Sequence, residues 1–129
     1  MLEEKVRTLC RGVNLAALTT LFPDGTAQTQ VMWVDCDDEH VIMNTEVHRT
    51  KFKNVERDPR VTVMIWDADN PYSYAEVRGR VVDTIRGAEA KTHIDFLSKK
   101  FLDLDGYPLD VESERVILKV APTKRQFVR

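Results

Sequence analysis

The stretch Tyr72-Ser73-Tyr74-Ala75-Glu76-Val77-Arg78-Gly79-Arg80-Val81-Val82-Asp83 decides the architecture. Ala75, Val77, Gly79 and Val81 alternate with Tyr74, Glu76, Arg78 and Arg80, the period of a strand with one face in a core. Gly79 at its centre is a poor strand former. It marks a bulge or the tight curvature of a barrel, which a flat sheet would not need.

The elements on either side fit a barrel. Residues 60–66 are rich in β-branched and apolar side chains and end at the turn Asp67-Ala68-Asp69-Asn70-Pro71, so they form a buried strand. Nearer the start, strands over residues 14–21 and 26–35 flank Phe22-Pro23-Asp24-Gly25, and Asp-Gly predicts a type I′ hairpin turn. A second turn over residues 35–39 leads to a third strand over residues 40–45. Leu2, Val6 and Leu9 share a face of a short helix that stops at Gly12. Ala90, Ile94, Leu97 and Phe101 recur at helical spacing over residues 86–102, and their stripe is core. Val116, Leu118 and Val120 alternate with Arg115, Ile117 and Lys119 in a last strand that Pro122 interrupts and that resumes through Phe127. The expected fold is mainly β: a six-stranded, mostly antiparallel barrel with inserted helices, in a single domain over residues 1–129.

Composition narrows the function classes. A chain of 129 residues with 43% hydrophobic content supports one core, and a net charge of -2 gives no overall basic field, so no nucleic-acid partner is expected. No apolar run approaches the roughly 20 residues of a membrane span. Met1-Leu2-Glu3-Glu4-Lys5 lacks a signal peptide's pattern, so no membrane partner and a cytoplasmic location are expected. Cys10 and Cys36 have neither disulfide-scaffold nor zinc spacing and are expected to be inert thiols; no metal site is expected.

His48-Arg49-Thr50-Lys51-Phe52-Lys53-Asn54 stands where the third strand hands over to a helix ending near Pro59. A helix start is locally positive and favours carboxylates, yet this one carries Arg49, Lys51 and Lys53. An external anion, a phosphate above all, would neutralise both. The alternative is a solvated basic face, since Arg49, Lys53 and Arg57 fall at i, i+4 spacing.

Taken together, Gln30-Val31-Met32-Trp33-Val34, Asn44-Thr45, residues 49–55, Arg57-Asp58-Pro59-Arg60-Val61 and residues 71–79 resemble the pyridoxamine 5′-phosphate oxidase-like superfamily. Within it, they are most similar to the flavin/deazaflavin oxidoreductases that depend on coenzyme F420. The resemblance implies a split β-barrel homodimer with two cofactor clefts along the subunit interface. It implies that the basic segment binds the cofactor phosphate and that the hairpin strand lines the tricyclic ring. The cofactor-binding set it points to is Gln30, Val31, Met32, Trp33, Asn44, Thr45, Arg49, Thr50, Lys51, Lys53, Asn54 and Tyr74. Thr50 stands where a further lysine is common in the family, which lowers the charge but leaves a hydroxyl donor.

Coenzyme F420 and FMN both end a ribityl chain in phosphate, so the cradle does not choose between them. The resemblance favours an F420-dependent hydride transfer to a small unsaturated or quinone-like substrate. An FMN-dependent oxidase or reductase and a non-catalytic carrier of cofactor or tetrapyrrole (haem or biliverdin) are the alternatives. Trp33 is the better ligand-stacking candidate of the two tryptophans, and Tyr72 and Tyr74 either close over the cofactor tail or pack between subunits. His40, His48 and His93 sit in no triad spacing, so no catalytic acid or base is assigned and water is the expected proton source.

Overall fold

The computed structural model describes residues 1–129, apart from the side chains of Lys124 and Arg125. Helix α1 spans Glu4–Arg11, followed by β1 (Ala16–Leu21), β2 (Ala27–Met32), β3 (Asp35–Cys36) and β4 (Val41–Glu46). Then come α2 (Thr50–Arg57), β5 (Arg60–Asp67), β6 (Asn70–Arg86), α3 (Ala88–Leu102) and β7 (Arg115–Val128). The seven strands form one antiparallel sheet in the order β2-β1-β5-β6-β7-β4-β3. No helix among the described residues is long and apolar enough to cross a membrane.

Three expectations are corrected. The strand expected over residues 26–35 breaks after Met32, and a separate two-residue strand, Asp35–Cys36, pairs with β4, giving seven strands instead of six. The Asp24-Gly25 turn is not type I′, because only Gly25 has positive φ (87°). Pro23, whose ring locks φ at about −65°, takes the first corner of an ordinary turn closed by the Gly25 N–H on the Phe22 carbonyl at 3.0 Å. Finally, β7 runs through Pro122 without ending, because Pro122 faces Gly79 at an irregularity in the β6–β7 ladder.

Strand β6 is the spine of the molecule. Its 17 residues pair with β5 on one side and β7 on the other, and its register shifts between Val77 and Gly79 and between Val81 and Asp83. Those shifts bend the sheet. Gly79 permits the bend at close quarters: a Cβ there would lie 2.2 Å from the Ala121 carbonyl oxygen.

The core fills the inside of the curve. Val6, Leu18, Val34, Val41, Met43, Val63, Ile65, Val77, Leu118 and Val120 are all nearly fully buried, with Phe52 of α2 and Leu9 of α1 closing the ends. Helix α3 covers the start of β7 on its other face, so Arg115, Val116, Ile117 and Leu118 are all buried despite the strand's alternation. The interior so formed is bordered by β2, β4 and α2, which carry the residues of interest.

Candidate functional site

Helix α2 starts as the sequence implies. Arg49 is its N-cap, no acidic residue occupies its first turn, and no side chain caps it. The N–H groups of Phe52 and Lys53 both turn to the Arg49 carbonyl, at 3.1 and 3.3 Å. The geometry of a helix start leaves the Thr50 and Lys51 N–H groups without helical acceptors. Phe52, 1% exposed, anchors the helix while Arg49, Thr50 and Lys53 stay at the surface. Lys51 is half-buried, and that burial, with Arg49 and Arg115 adding to it, pushes its ammonium below the ordinary lysine range. Two cations hold down the charge of a third, which is the condition an incoming anion relieves.

Behind the basic face lies a buried polar chain. Arg115 Nε donates to Asn44 Oδ1 at 2.8 Å, and Arg115 Nη1 lies 3.4 Å from Glu46 Oε2. Glu46, 2% exposed, also accepts the Ser113 N–H at 2.8 Å and sits 3.9 Å from Arg49. Burial opposes the Glu46 charge, but the Ser113 N–H and the Arg115 guanidinium overcome it and hold the carboxyl below the usual carboxylate range. Asn44 Nδ2 donates to the Ala90 carbonyl at 2.9 Å and to His93 Nδ1 at 3.0 Å, tying β4 to α3.

Because His93 Nδ1 accepts, its proton sits on Nε2, which is buried without a hydrogen-bond partner and faces Asp35 Oδ2 at 3.9 Å. Burial holds the imidazole below the ordinary histidine range, against the pull of Asp35. The unfolded chain therefore binds this proton more readily than the folded one, and stability falls as pH drops through about 6.5. Melting temperatures measured between about pH 7.5 and 5.5 should decline, and His93→Gln should flatten that decline.

A cleft of about 380 Å³ opens beside β2, lined by Leu15, Val31, Met32, Trp33, Asn44, Ile94, Leu97, Tyr107 and Arg115. Four of the expected cofactor residues, Val31, Met32, Trp33 and Asn44, are thus brought to one concavity. Trp33 is held there by stacking on Phe101, with centroids 5.4 Å apart, and by the edge of Tyr107 at 6.1 Å. Gln30 is exposed on the edge strand β2, and Thr45 is buried in β4 beside Glu46.

Two expected residues lie elsewhere. The Asn54 side chain faces inward, donating to Thr20 Oγ1 at 3.0 Å and accepting from Arg57, so it fastens α2 to β1. Tyr74 packs 5.9 Å from Phe127 on the outer face of the sheet, away from this cleft. His48 engages Ser113 and Glu112 in the segment before β7 and not the helix start.

Sequence reasoning also missed four groups: Glu46, Tyr107, Arg115 and Gln28. Gln28 pairs with Thr20 across β1–β2, and its buried Oε1 has no partner among the described residues. Thr20 in turn accepts from Asn54 of α2, so this unpaired buried acceptor lies at the level of β1 that α2 is fastened to.

The fold matches known proteins. The family model described as pyridoxamine 5′-phosphate oxidase matches residues 2–129. The chain belongs to the pyridoxamine 5′-phosphate oxidase family. Among solved structures, an F420 reductase is similar with a TM-score of 0.80 and 32% identity, over 95% of this chain and 97% of that one. Two more distant members of the same fold are HutZ, the haem storage protein of Vibrio cholerae, and HupZ of Group A Streptococcus. HutZ has a TM-score of 0.67 and 13% identity over 98% of this chain and 94% of that one. HupZ has a TM-score of 0.67 and 16% identity over 99% and 94%. In this pyridoxamine 5′-phosphate oxidase family chain, the conserved fold is what those two likenesses carry.

Proposed function

We propose that this protein is an oxidoreductase that binds coenzyme F420, with its phosphate at Arg49, Thr50, Lys51 and Lys53 and its ring along Val31, Met32 and Trp33. The observation that carries the reading is continuity. The cleft lined by β2 ends at Arg115, and the same guanidinium bears electrostatically on Lys51 in the cradle. The orphaned Gln28 Oε1, at the Thr20 level beside α2, would offer an acceptor to the ribityl hydroxyls. The 32%-identical F420 reductase supports the choice of cofactor. When bound, the reduced deazaflavin would supply a hydride. The chain's own part is to fix the ring against β2, neutralise the phosphate, and keep water from the apolar wall of Leu15, Ile94 and Leu97.

FMN is the second reading, because the cradle accepts either phosphate. A tetrapyrrole carrier gets less support: the lining of the cleft includes no histidine. F420 should bind more tightly than FMN. Its acidic tail would meet Lys53 and Arg57, so its affinity should fall more steeply with salt. Titrating both cofactors at low and high ionic strength checks this, and tighter FMN binding in both buffers would transfer the assignment to FMN.

The reading includes a homodimer. Val31, Ala17, Met64, Glu76 and Phe127 are direct cross-strand neighbours over five strands on the outer face. Val31 is 62% exposed and Phe127 51%, with Tyr72 at 80% nearby. A second copy of the chain covers this row in our proposal, and Tyr74, on the same face, then reaches the partner's cleft. Sedimentation at micromolar concentration should give a dimer.

A further inference from the structure

Nothing in the spacing of Cys10 and Cys36 announces a pair, yet the fold puts one sulfur against the other. Cys10 lies in the last turn of α1, Cys36 ends the short strand β3, and α1 packs on β3. The Cys10 thiol donates to the Cys36 sulfur, and the Cys36 thiol donates to the Arg7 carbonyl, one turn back along α1, at 3.8 Å. Both thiols are free. Cys10 is fully buried, whereas Cys36 keeps 9% of its surface exposed on the last strand of the sheet. Their surroundings are cationic: Lys100 donates to the Cys10 carbonyl at 2.5 Å and its ammonium bears on both sulfurs, and Arg11 bears on Cys36. Donation from Cys10, with Arg11 and Lys100 adding to it, holds the Cys36 thiol below the ordinary cysteine range against burial and Asp35. The same hydrogen bond and burial hold Cys10 above that range. Two thiols kept only for packing need no such asymmetry; a reactive thiolate with a neighbour ready to resolve it does.

We propose that Cys10 and Cys36 form an oxidation site for hydroperoxides, in which Cys36 is the attacking sulfur and Cys10 the resolving one. Neither step involves the cofactor. The Cys36 thiolate attacks the terminal oxygen of the hydroperoxide, a sulfur–oxygen bond forms and the O–O bond breaks. Cys36 becomes a sulfenic acid, and the other oxygen leaves as an alkoxide or hydroxide that takes a proton from solvent. The Cys10 sulfur, already against Cys36, then displaces the sulfenic oxygen. The S–S bond forms, the S–O bond breaks, and water leaves with the Cys10 proton. Two thiols have lost two electrons, and one hydroperoxide has gained them to become an alcohol, or water, plus a further water. The product ties β3 to α1 on the segment that carries Trp33 into the wall of the cleft.

The test treats the native full-length protein with a small excess of hydrogen peroxide, alkylates the remaining thiols in denaturant and maps the peptides by mass. Both free thiols should disappear together, giving one linked peptide pair that carries Cys10 and Cys36 within a single chain. Its mass should be lower by two hydrogens, and dithiothreitol should restore both thiols. Cys10→Ala should stop at the sulfenic acid, so that dimedone labels Cys36. Cys36→Ala should leave Cys10 fully alkylatable under the same treatment. If a variant does not fold, dimedone trapping on the wild-type protein at short times still assigns the order, labelling Cys36 and not Cys10. Met64, which is 38% exposed, reports that peroxide has reached the protein. Oxidation of Met64 with both thiols still alkylatable would overturn the proposal. So would a link between two chains in place of the internal one, or dimedone on Cys10 with Cys36 untouched.

Discussion

Lys51→Ala should weaken cofactor binding by roughly ten- to hundredfold, the loss expected for one charge-assisted phosphate contact. Lys51 is the more costly of the two obvious cations to remove. It is half-buried, its ammonium is already pressed by Arg49 and Arg115, and it has most to gain from an anion. Arg49→Ala should lose less, because Arg49 is exposed and lies 3.9 Å from Glu46, which offers it a partial counter-charge without any ligand. Neither change should unfold the chain, since α2 is anchored by Phe52 and Asn54 on its other side. Titration calorimetry with circular dichroism as the folding control checks both. Unchanged affinity in both variants would return the segment to a solvated basic face.

Gly79→Ala should destabilise the fold by about 3 kcal/mol, at the upper end of overpacking effects. The new methyl would lie 2.2 Å from the Ala121 carbonyl oxygen and 3.0 Å from its carbon. Both are backbone atoms in the middle of β7, so relief requires β6 and β7 to part at the bend. A melting-temperature drop of roughly 10 °C is the corresponding expectation for a domain of this size. A wild-type-like melting temperature would show that the ladder gives way at little cost.

These two positions also show what was legible in the sequence and what was not. Gly79 stood out because a weak strand former in a strongly alternating strand has few uses, and curvature is one of them. The cations of α2 stood out because they contradict the helix dipole. Arg115 was invisible for the opposite reason. On the alternation of β7 it belongs to the face opposite Val116, and nothing local says that α3 covers that face. Its pairing with Glu46 is a matter of register between strands far apart in sequence, Glu46 facing Arg115 across β4 and β7. The turn at Asp24-Gly25 was placed correctly but mistyped, since Pro23 outweighs the dipeptide that follows it. The break at Trp33 was missed because residues 26–35 carry no glycine or proline after the hairpin to announce it. Tyr74 was assigned by resemblance alone, and within one chain the geometry takes it to the outer face.

That break has a consequence for how the site exchanges its contents. Strands β2 and β3 are the two ends of the hydrogen-bonded order, yet they are joined in the chain through Trp33 and Val34. The circle is therefore completed at this point by the chain itself and not by a ladder. What fastens the junction is Lys100, whose ammonium donates to the Val34 carbonyl at 2.7 Å and the Cys10 carbonyl at 2.5 Å, together with the Trp33–Phe101 stack. With Val34 itself in the core, a junction held by one buried side chain, one cation and one aromatic pair should still open at a lower free energy than global unfolding, and beside the cleft. Deuterium uptake should enter the barrel here first. A ligand seated against Trp33 taxes every such opening, so its affinity and its slowing of exchange at the clasp are two measures of one equilibrium.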